Sequence, residues 1–145
     1  MGRALKVLTI GEIVEINRRI IDKFGGVFFK DNHNLIYPGS LEHVLEEIQG
    51  TLFEKEIYST ITEKGAAITW RIIKGHVFYD GNKRTGMEVC RMFLELNGYK
   101  MIIDPEVVDM ALKIASNDVN FSTFIKWIED RTERISSGDY NEDHY

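Results

Sequence analysis

At 145 residues the chain matches one ordinary domain, and a separate regulatory module is not expected. A hydrophobic content of 43%, with 8 Phe, 6 Tyr and 2 Trp, is enough for a packed core without disulfides or a structural metal. The single Cys90 excludes an internal disulfide, and 18 basic against 23 acidic residues, net charge −5, is the reverse of the cationic footprint of nucleic-acid binders.

The first residues, MGRALKVLTIGEIVEINRR, interrupt their apolar run with Lys6, Gly11, Glu12 and Glu15. They therefore lack the core of a signal peptide, and no stretch reaches the roughly 20 apolar residues of a membrane span. Lys6 stands where an N-myristoylation pattern wants Ser or Thr. The expectation is a cytoplasmic protein, in a compartment that keeps Cys90 reduced, with no membrane and no direct nucleic-acid contact.

Only Pro38 and Pro105 break the chain, and most segments space their apolar residues three and four apart, so the fold class is all-α. The first helix opens on Thr9 and Glu12 as a capping box. It carries Ile10, Ile13, Val14, Ile20, Ile21 and Phe24 and stops at Gly25-Gly26, with Glu12, Glu15, Arg18, Arg19 and Asp22 as its polar face. Residues 27–39, VFFKDNHNLIYPG, set two short apolar runs around Asp31-Asn32-His33-Asn34. That arrangement predicts a β-hairpin near residues 27–38, the only β element expected. Ser40 then caps a helix through Leu41, Val44, Leu45 and Ile48, ended by Gly50.

From Leu52 to Phe78 the spacing is helical with one break near residues 62–65, and its second half, AAITWRIIKGHVF, is apolar nearly all round. Such a helix is central and buried. After a loop at 79–81, NKRTGMEVCRMFLELNGY repeats the amphipathic spacing and ends at Gly98. Asp104-Pro105 opens a further helix through Val107, Val108, Met110, Ala111 and Ile114, and a last helix runs from about Ser122 to Arg134 with Trp127 on its apolar side. The polar, acidic tail 136–145 has no periodicity and is expected to be disordered, leaving residues 1–135 as the domain.

Polar chemistry concentrates in HVFYDGNKRT, residues 76–85, between the two most apolar helices. The second of these begins near Asn82, so the unpaired amides of Gly81 to Arg84 and the positive end of the helix dipole converge on one point, an anion site for which phosphate is the usual occupant. Gly81 permits close approach. Lys83 and Arg84 occupy a first turn where a helix favours acids, a local loss that a bound anion would restore. Asp80 suits Mg²⁺ bridging phosphates, and His76 is the natural base for a hydroxyl nucleophile. Phe78 anchors the loop in the core, and Asn82 holds either the loop or a phosphate oxygen. Taken singly, these residues make an ordinary turn and a solvated face. Eight specified residues in ten have a chance frequency on the order of 10⁻¹⁰ at average residue usage, and together they describe phosphoryl or nucleotidyl transfer to a hydroxyl.

The string resembles the signature of the Fic/Doc (Fido) superfamily, H-x-F-x-D/E-G/A-N-G/K-R, through His76, Phe78, Asp80, Gly81, Asn82, Lys83 and Arg84, with Thr85 following as in the death-on-curing (Doc) branch. The likeness extends over about residues 7–134 through Gly25-Gly26, Pro38-Gly39, the helix from Leu41 and the MFLELNGY run. The resemblance implies a compact all-α Fido bundle with a short hairpin flap that receives an extended target segment by strand addition. It assigns His76 as catalytic base, Asp80 as metal ligand and Gly81, Asn82, Lys83 and Arg84 as the phosphate and nucleotide cradle, with ATP as co-substrate and Mg²⁺ as cofactor.

Fic enzymes that transfer AMP carry Gly at Lys83 and commonly a second Arg at Met87, so both positions point away from adenylylation. The lysine form is associated in Doc proteins with ATP lying in the reverse sense and transfer of its γ-phosphoryl group to a protein of the elongation factor Tu class. The implied protein is therefore a Doc-type toxin with kinase activity, the alternatives being AMP transfer in the Fic manner or an idle binding module. Self-inhibition in Fic proteins uses a Ser/Thr-x-x-x-Glu-Gly/Asn helix. The nearest approach here, Ser59 to Glu63, is followed by Lys64, so control by a separate antitoxin chain is expected, with the surface around Trp127 helping to receive it. His33, His43 and His144 lack ligand spacing and read as surface residues.

Overall fold

The computed structural model describes residues 4–52 and 55–135, so the expected disorder of the tail 136–145 and the place of His144 lie outside the described residues. Helix α1 (Ile10–Phe24) starts with both halves of the capping box formed: Thr9 Oγ1 accepts the Glu12 amide at 3.1 Å and the Glu12 carboxylate accepts the Thr9 amide at 3.0 Å. The Gly25 amide closes the last turn on the Ile21 carbonyl at 2.8 Å. Helix α2 (Pro38–Glu47) begins earlier than expected, because Pro38 takes a first-turn position where its missing N–H is no loss; Ser40 therefore lies inside the helix and is not its cap.

The hairpin predicted over residues 27–38 does not form. Lys30–Asn32 makes one 3₁₀ turn, and His33 and Asn34 are left-handed at φ 55° and 60°. The chain reverses as the turn residues require, but its two apolar runs do not pair with each other. The Val27 amide goes to Asp80 Oδ2 and the Phe29 amide to Asn34 Oδ1. The second run joins the chain beyond the central helix instead: Leu35 bridges Phe78, the Ile36 amide donates to Val77 O at 2.8 Å, and the Tyr79 amide donates to Asn34 O at 2.9 Å. The motif loop offers this segment better partners than the segment offers itself.

An antiparallel pair does lie nearby, β1 (Thr51–Leu52) with β2 (Lys55–Glu56), in a stretch read as helical. Strands of two residues carry no period to detect. The following helix, α3 (Ile61–Lys74), starts only where Thr60 Oγ1 accepts the Glu63 amide at 3.0 Å. After α4 (Asn82–Leu96) come β3 (Tyr99–Met101), α5 (Glu106–Ala115), α6 (Phe121–Asp130) and β4 (Thr132–Arg134), which returns antiparallel to β3 with Tyr99 opposite Arg134. The last helix stops at Asp130 rather than Arg134 because the Arg131 side chain turns inward. Its guanidinium stacks 3.9 Å above Trp127 and donates to Asp104, Glu106 and the Ile102 carbonyl.

Helix α3 is central, as its all-round apolar character requires: Ala66, Ile68, Thr69 and Ile72 are all fully buried. One side of it packs with α1, α2 and α4 around Ile13, Leu41, Val44 and Phe93, the other with α4, α5 and α6 around Leu94, Ile114, Phe124 and Ile128. Each such side chain contributes about 1.5–3 kcal/mol of transfer free energy. The two motif helices approach closely because a Cβ on Gly86 would stand 2.9 Å from Ile73 Cγ1, and the Thr69 hydroxyl lies between the Gly65 and Gly86 carbonyls at 3.0 and 2.9 Å. At the far end of α4, Asn97 binds the Lys6 amide and carbonyl, and Gly98 O accepts the Ile135 amide. Among the described residues no helix is long and apolar enough to cross a membrane.

Candidate active site

The site is built where α3 gives way to α4. His76 takes a left-handed backbone, φ 44°, unusual for a residue with a side chain, and this reversal lays residues 77–79 alongside 34–37. The His76 side chain is exposed. Val77 and Phe78, the two residues after the reversal, are fully buried. Asn82 locks the loop: its Oδ1 accepts the Phe78 amide at 2.9 Å and its Nδ2 donates to the Phe78 carbonyl at 2.8 Å. Of the two roles open to Asn82, the geometry gives it the loop.

Asp80 is held from two sides. Its Oδ1 accepts the Gly81 amide and its Oδ2 the Val27 amide, both at 2.9 Å. Gly26, at φ 131°, is required here, since a Cβ would fall 2.5 Å from Asp80 Oδ2. Each carboxylate oxygen keeps a lone pair after its one amide. Among the described residues no three His, Cys, Asp or Glu side chains could enclose a metal. The donor set thus fits a Mg²⁺ held by one carboxylate together with phosphate oxygens, and not a cage made by the protein alone.

Helix α4 starts on Gly81 in the left-handed conformation, φ 75°, with no side-chain cap and no acid in its first turn. The amides of Asn82 to Arg84 are left to solvent or an anion, whereas the Gly81 amide, expected among them, is already taken by Asp80 Oδ1. Lys83 and Arg84 are exposed beside them, and the Arg84 guanidinium lies 3.9 Å above the ring of Phe24, a cation–π contact that parks it at the rim of the site. His76, Asp80, Gly81, Asn82, Lys83 and Arg84 are thus gathered on one loop and one helical turn.

Sequence reasoning missed two residues beneath them. Asn17 and Asn34 are both fully buried. Asn17 Nδ2 donates to the Asp80 carbonyl at 2.9 Å and to Thr85 Oγ1 at 3.0 Å, while its Oδ1 accepts Asn34 Nδ2 at 2.9 Å. The available signal was position: Asn17 falls four residues after Ile13 on the apolar stripe of α1, where a polar side chain needs a reason.

A groove of about 370 Å³ opens from Lys83 and Arg84 along α1, α4 and α5, floored by Ile20, Phe24, Met87 and Val107. Met87, which stands at the second-arginine position, is only 4% exposed. Trp127 lies elsewhere, half-buried between Phe124 and Arg131. Cys90 is buried beside Thr69, and burial pushes its thiol up to about 12, so it offers no thiolate nucleophile. Glu63 spends its carboxylate on the Ser59 amide and hydroxyl at the start of α3.

An uncapped helix start beside an exposed histidine and a pinned carboxylate is open to an anionic ligand. The sequence matches the Fic/DOC family over residues 7–94, and the chain belongs to that family. It is 26% identical over 112 residues to the "Protein kinase doc" of Escherichia phage P1, covering 77% of this chain and 84% of that protein. It is 27% identical over 111 residues to "Toxin Doc" of Mycolicibacterium smegmatis, covering 74% and 85%. The "Protein adenylyltransferase Fic" of Drosophila erecta is 27% identical over 141 residues, which is 88% of this chain but 28% of that protein. The Doc relatives are thus matched over most of their own length.

Proposed function

We propose that this chain is a Doc-type toxin that transfers the γ-phosphoryl group of ATP to a hydroxyl of a protein target of the elongation factor Tu class, in the cytoplasm, under the control of a separate antitoxin. The observation that carries the reading is the bare start of α4: uncapped amides, no acid, and Lys83 and Arg84 in their place.

The chain's own residues divide the work as follows. A ring nitrogen of His76 takes the proton of the attacking hydroxyl as its oxygen bonds to the γ-phosphorus, worth about 10²–10⁴ in rate. The bond from that phosphorus to the bridging oxygen breaks, and ADP leaves with the electron pair. The Asn82–Arg84 amides and the Lys83 and Arg84 side chains stabilise the charge on the transferring group in a fixed frame, and Gly81 contributes its left-handed backbone to the approach. Asp80 would hold Mg²⁺, whose chemistry is to neutralise phosphate charge. A side chain at Lys83 fills space that Gly leaves open in AMP-transferring relatives and adds a cation, which favours γ- over α-transfer. The groove beside Lys83 and Arg84, mainly apolar with Lys83, Arg84, Glu88 and Asp104 as its charged lining, is a better seat for an antitoxin helix than the surface around Trp127.

Incubating elongation factor Tu with the protein and ATP and measuring its intact mass tests the reading. A phosphoryl increment supports it. An adenylyl increment moves the chain to the Fic reaction, which the Drosophila relatives are named for, and no increment with several translation factors leaves the idle binding module.

A further inference from the structure

We infer that Asn17 is a positioning residue of the active site: through its two-sided hold on the Asp80 carbonyl and the Thr85 hydroxyl, it sets the direction of the amides that receive the phosphate. This deepens the phosphoryl-transfer reading and rests on it. Asn17 is fully buried on a helix face otherwise made of Ile13, Ile16 and Ile21. A primary amide there costs free energy unless its groups are all engaged. Every one is: both amide protons and the oxygen have partners within 3.0 Å.

The choice of partners gives the group its function. The Asp80 carbonyl belongs to the peptide unit whose N–H is that of Gly81, itself held by Asp80 Oδ1, so fixing this oxygen fixes the peptide plane from which the open amides of Asn82 to Arg84 depart. Thr85 lies at the other end of the same turn, its amide closed on Gly81 O at 2.9 Å. Asn17 therefore grips the Gly81–Arg84 turn at both ends. A Cβ on Gly81 would come within 3.2 Å of Asn17 Nδ2, which makes the absence of a side chain at Gly81 a condition of the grip as well as of the left-handed cap. Asn34 completes the device. It orients Asn17 by its Nδ2, and its carbonyl holds the Tyr79 amide at 2.9 Å. The helix start, the loop before it and the 27–38 segment are thus registered against one buried amide. A packing residue would serve the core as well, and a cradle needs its donors aimed.

The test is Asn17→Asp, which keeps size and the contact from Asn34 but faces the Asp80 carbonyl with an acceptor. The expected result is a fall in kcat of roughly 100-fold, the scale of a small misplacement of catalytic groups, with KM for ATP little changed and the protein folded at the assay temperature. Asn97→Asp, at the opposite end of α4, is the control for lost stability alone, since Asn97 also donates to two carbonyls. Equal losses in the two variants, tracking their melting temperatures, overturn the inference. If Asn17→Asp does not fold, Thr85→Val and Thr85→Ser replace it: Val must lower kcat and Ser restore it, and equal rates in the two sink the idea. Resonances of the Gly81–Arg84 amides, compared between wild type and variant, judge the positioning even if wild type transfers no phosphoryl group. Unmoved resonances overturn it, whereas failure of the wild type to transfer overturns the functional reading alone.

Discussion

Helices α1 and α4 are both 15 residues long and begin in opposite ways. At α1, Thr9 and Glu12 satisfy each other's amides and an acid sits against the positive end of the dipole. At α4 the cap is a glycine with no side chain, no acid follows, and two cations occupy the first turn. A cap is worth about 1 kcal/mol and each favourable first-turn charge about 0.3–1 kcal/mol, so α4 forgoes on the order of 1–3 kcal/mol that α1 secures. The deficit falls beside an exposed histidine and a pinned carboxylate, where a phosphate ester would make it good. One helix start is finished by the chain; the other is left open, and in the proposed function a phosphate closes it.

The largest way to break this contrast is to remove the chemistry that the open start serves. His76→Ala is expected to lower transfer by about 10²–10⁴ while ATP still binds and the melting temperature changes little. Wild-type turnover by this variant would return His76 to being a loop residue at an unusual backbone angle.

Next comes the carboxylate. Asp80→Ala is expected to remove the Mg²⁺ dependence and the activity together, and because the exposed Val27 amide and the part-buried Gly81 amide lose their acceptor, stability falls by about 0.5–1.5 kcal/mol as well. Gly26→Ala reaches the same carboxylate from outside the motif: its Cβ displaces Asp80 Oδ2, and activity is expected to fall although every motif residue is intact. Full activity of Gly26→Ala in magnesium titrations would show that the position of Asp80 does not matter.

Lys83 separates the two transferases. Lys83→Gly is expected to lose transfer from γ-labelled ATP and gain at most weak transfer from α-labelled ATP, and adding Met87→Arg raises the latter, the two changes being coupled. Because Met87 is 4% exposed, the new arginine must run its stem along the groove to bring its head to the rim. Wild-type transfer of the α-label, unchanged in Lys83→Gly, would remove the kinase assignment.

The smallest effects sharpen the contrast itself. Lys83→Glu gives α4 the acid that α1 already has; it is expected to stabilise the free protein by about 0.3–1 kcal/mol and to abolish the rise in melting temperature that ATP produces in wild type by mass action. Thr9→Ala costs about 1 kcal/mol with transfer untouched. Calorimetric melting with and without ATP reads all three proteins, and a nucleotide response surviving in Lys83→Glu would contradict an anion site at α4.

What could be read in the sequence follows how local the determinants are. The capping box of α1 and the start of α4 at Asn82 depend on residues within one turn, the burial of α3 on one unbroken apolar run, and each appears as expected. The motif also gave the candidate residues in one string, because a single loop carries them. The 27–38 hairpin failed because its competitors, Asp80 and residues 77–79, lie some 40 residues or more away in the chain, and turn chemistry says where a chain reverses without saying what it pairs with. The strands β1 to β4, two or three residues each, are too short for periodicity to register. Asn17 was hidden because its partners are a distant carbonyl and hydroxyl, and only its misfit on an apolar stripe could have betrayed it.

The far end of α4 has its own consequence. Asn97 holds Lys6 and Gly98 holds Ile135, so the polypeptide enters and leaves the described fold at neighbouring points, about 22 Å of helix from Asn82 given a 1.5 Å rise over 15 residues. Whatever is joined to either side, an affinity handle, a fluorescent reporter or a surface tether, departs from the pole opposite the catalytic loop. A short bridge from residue 135 back to residue 6 would let the chain be reopened at an exposed turn elsewhere, yielding a permuted enzyme whose cleft is spared the new ends.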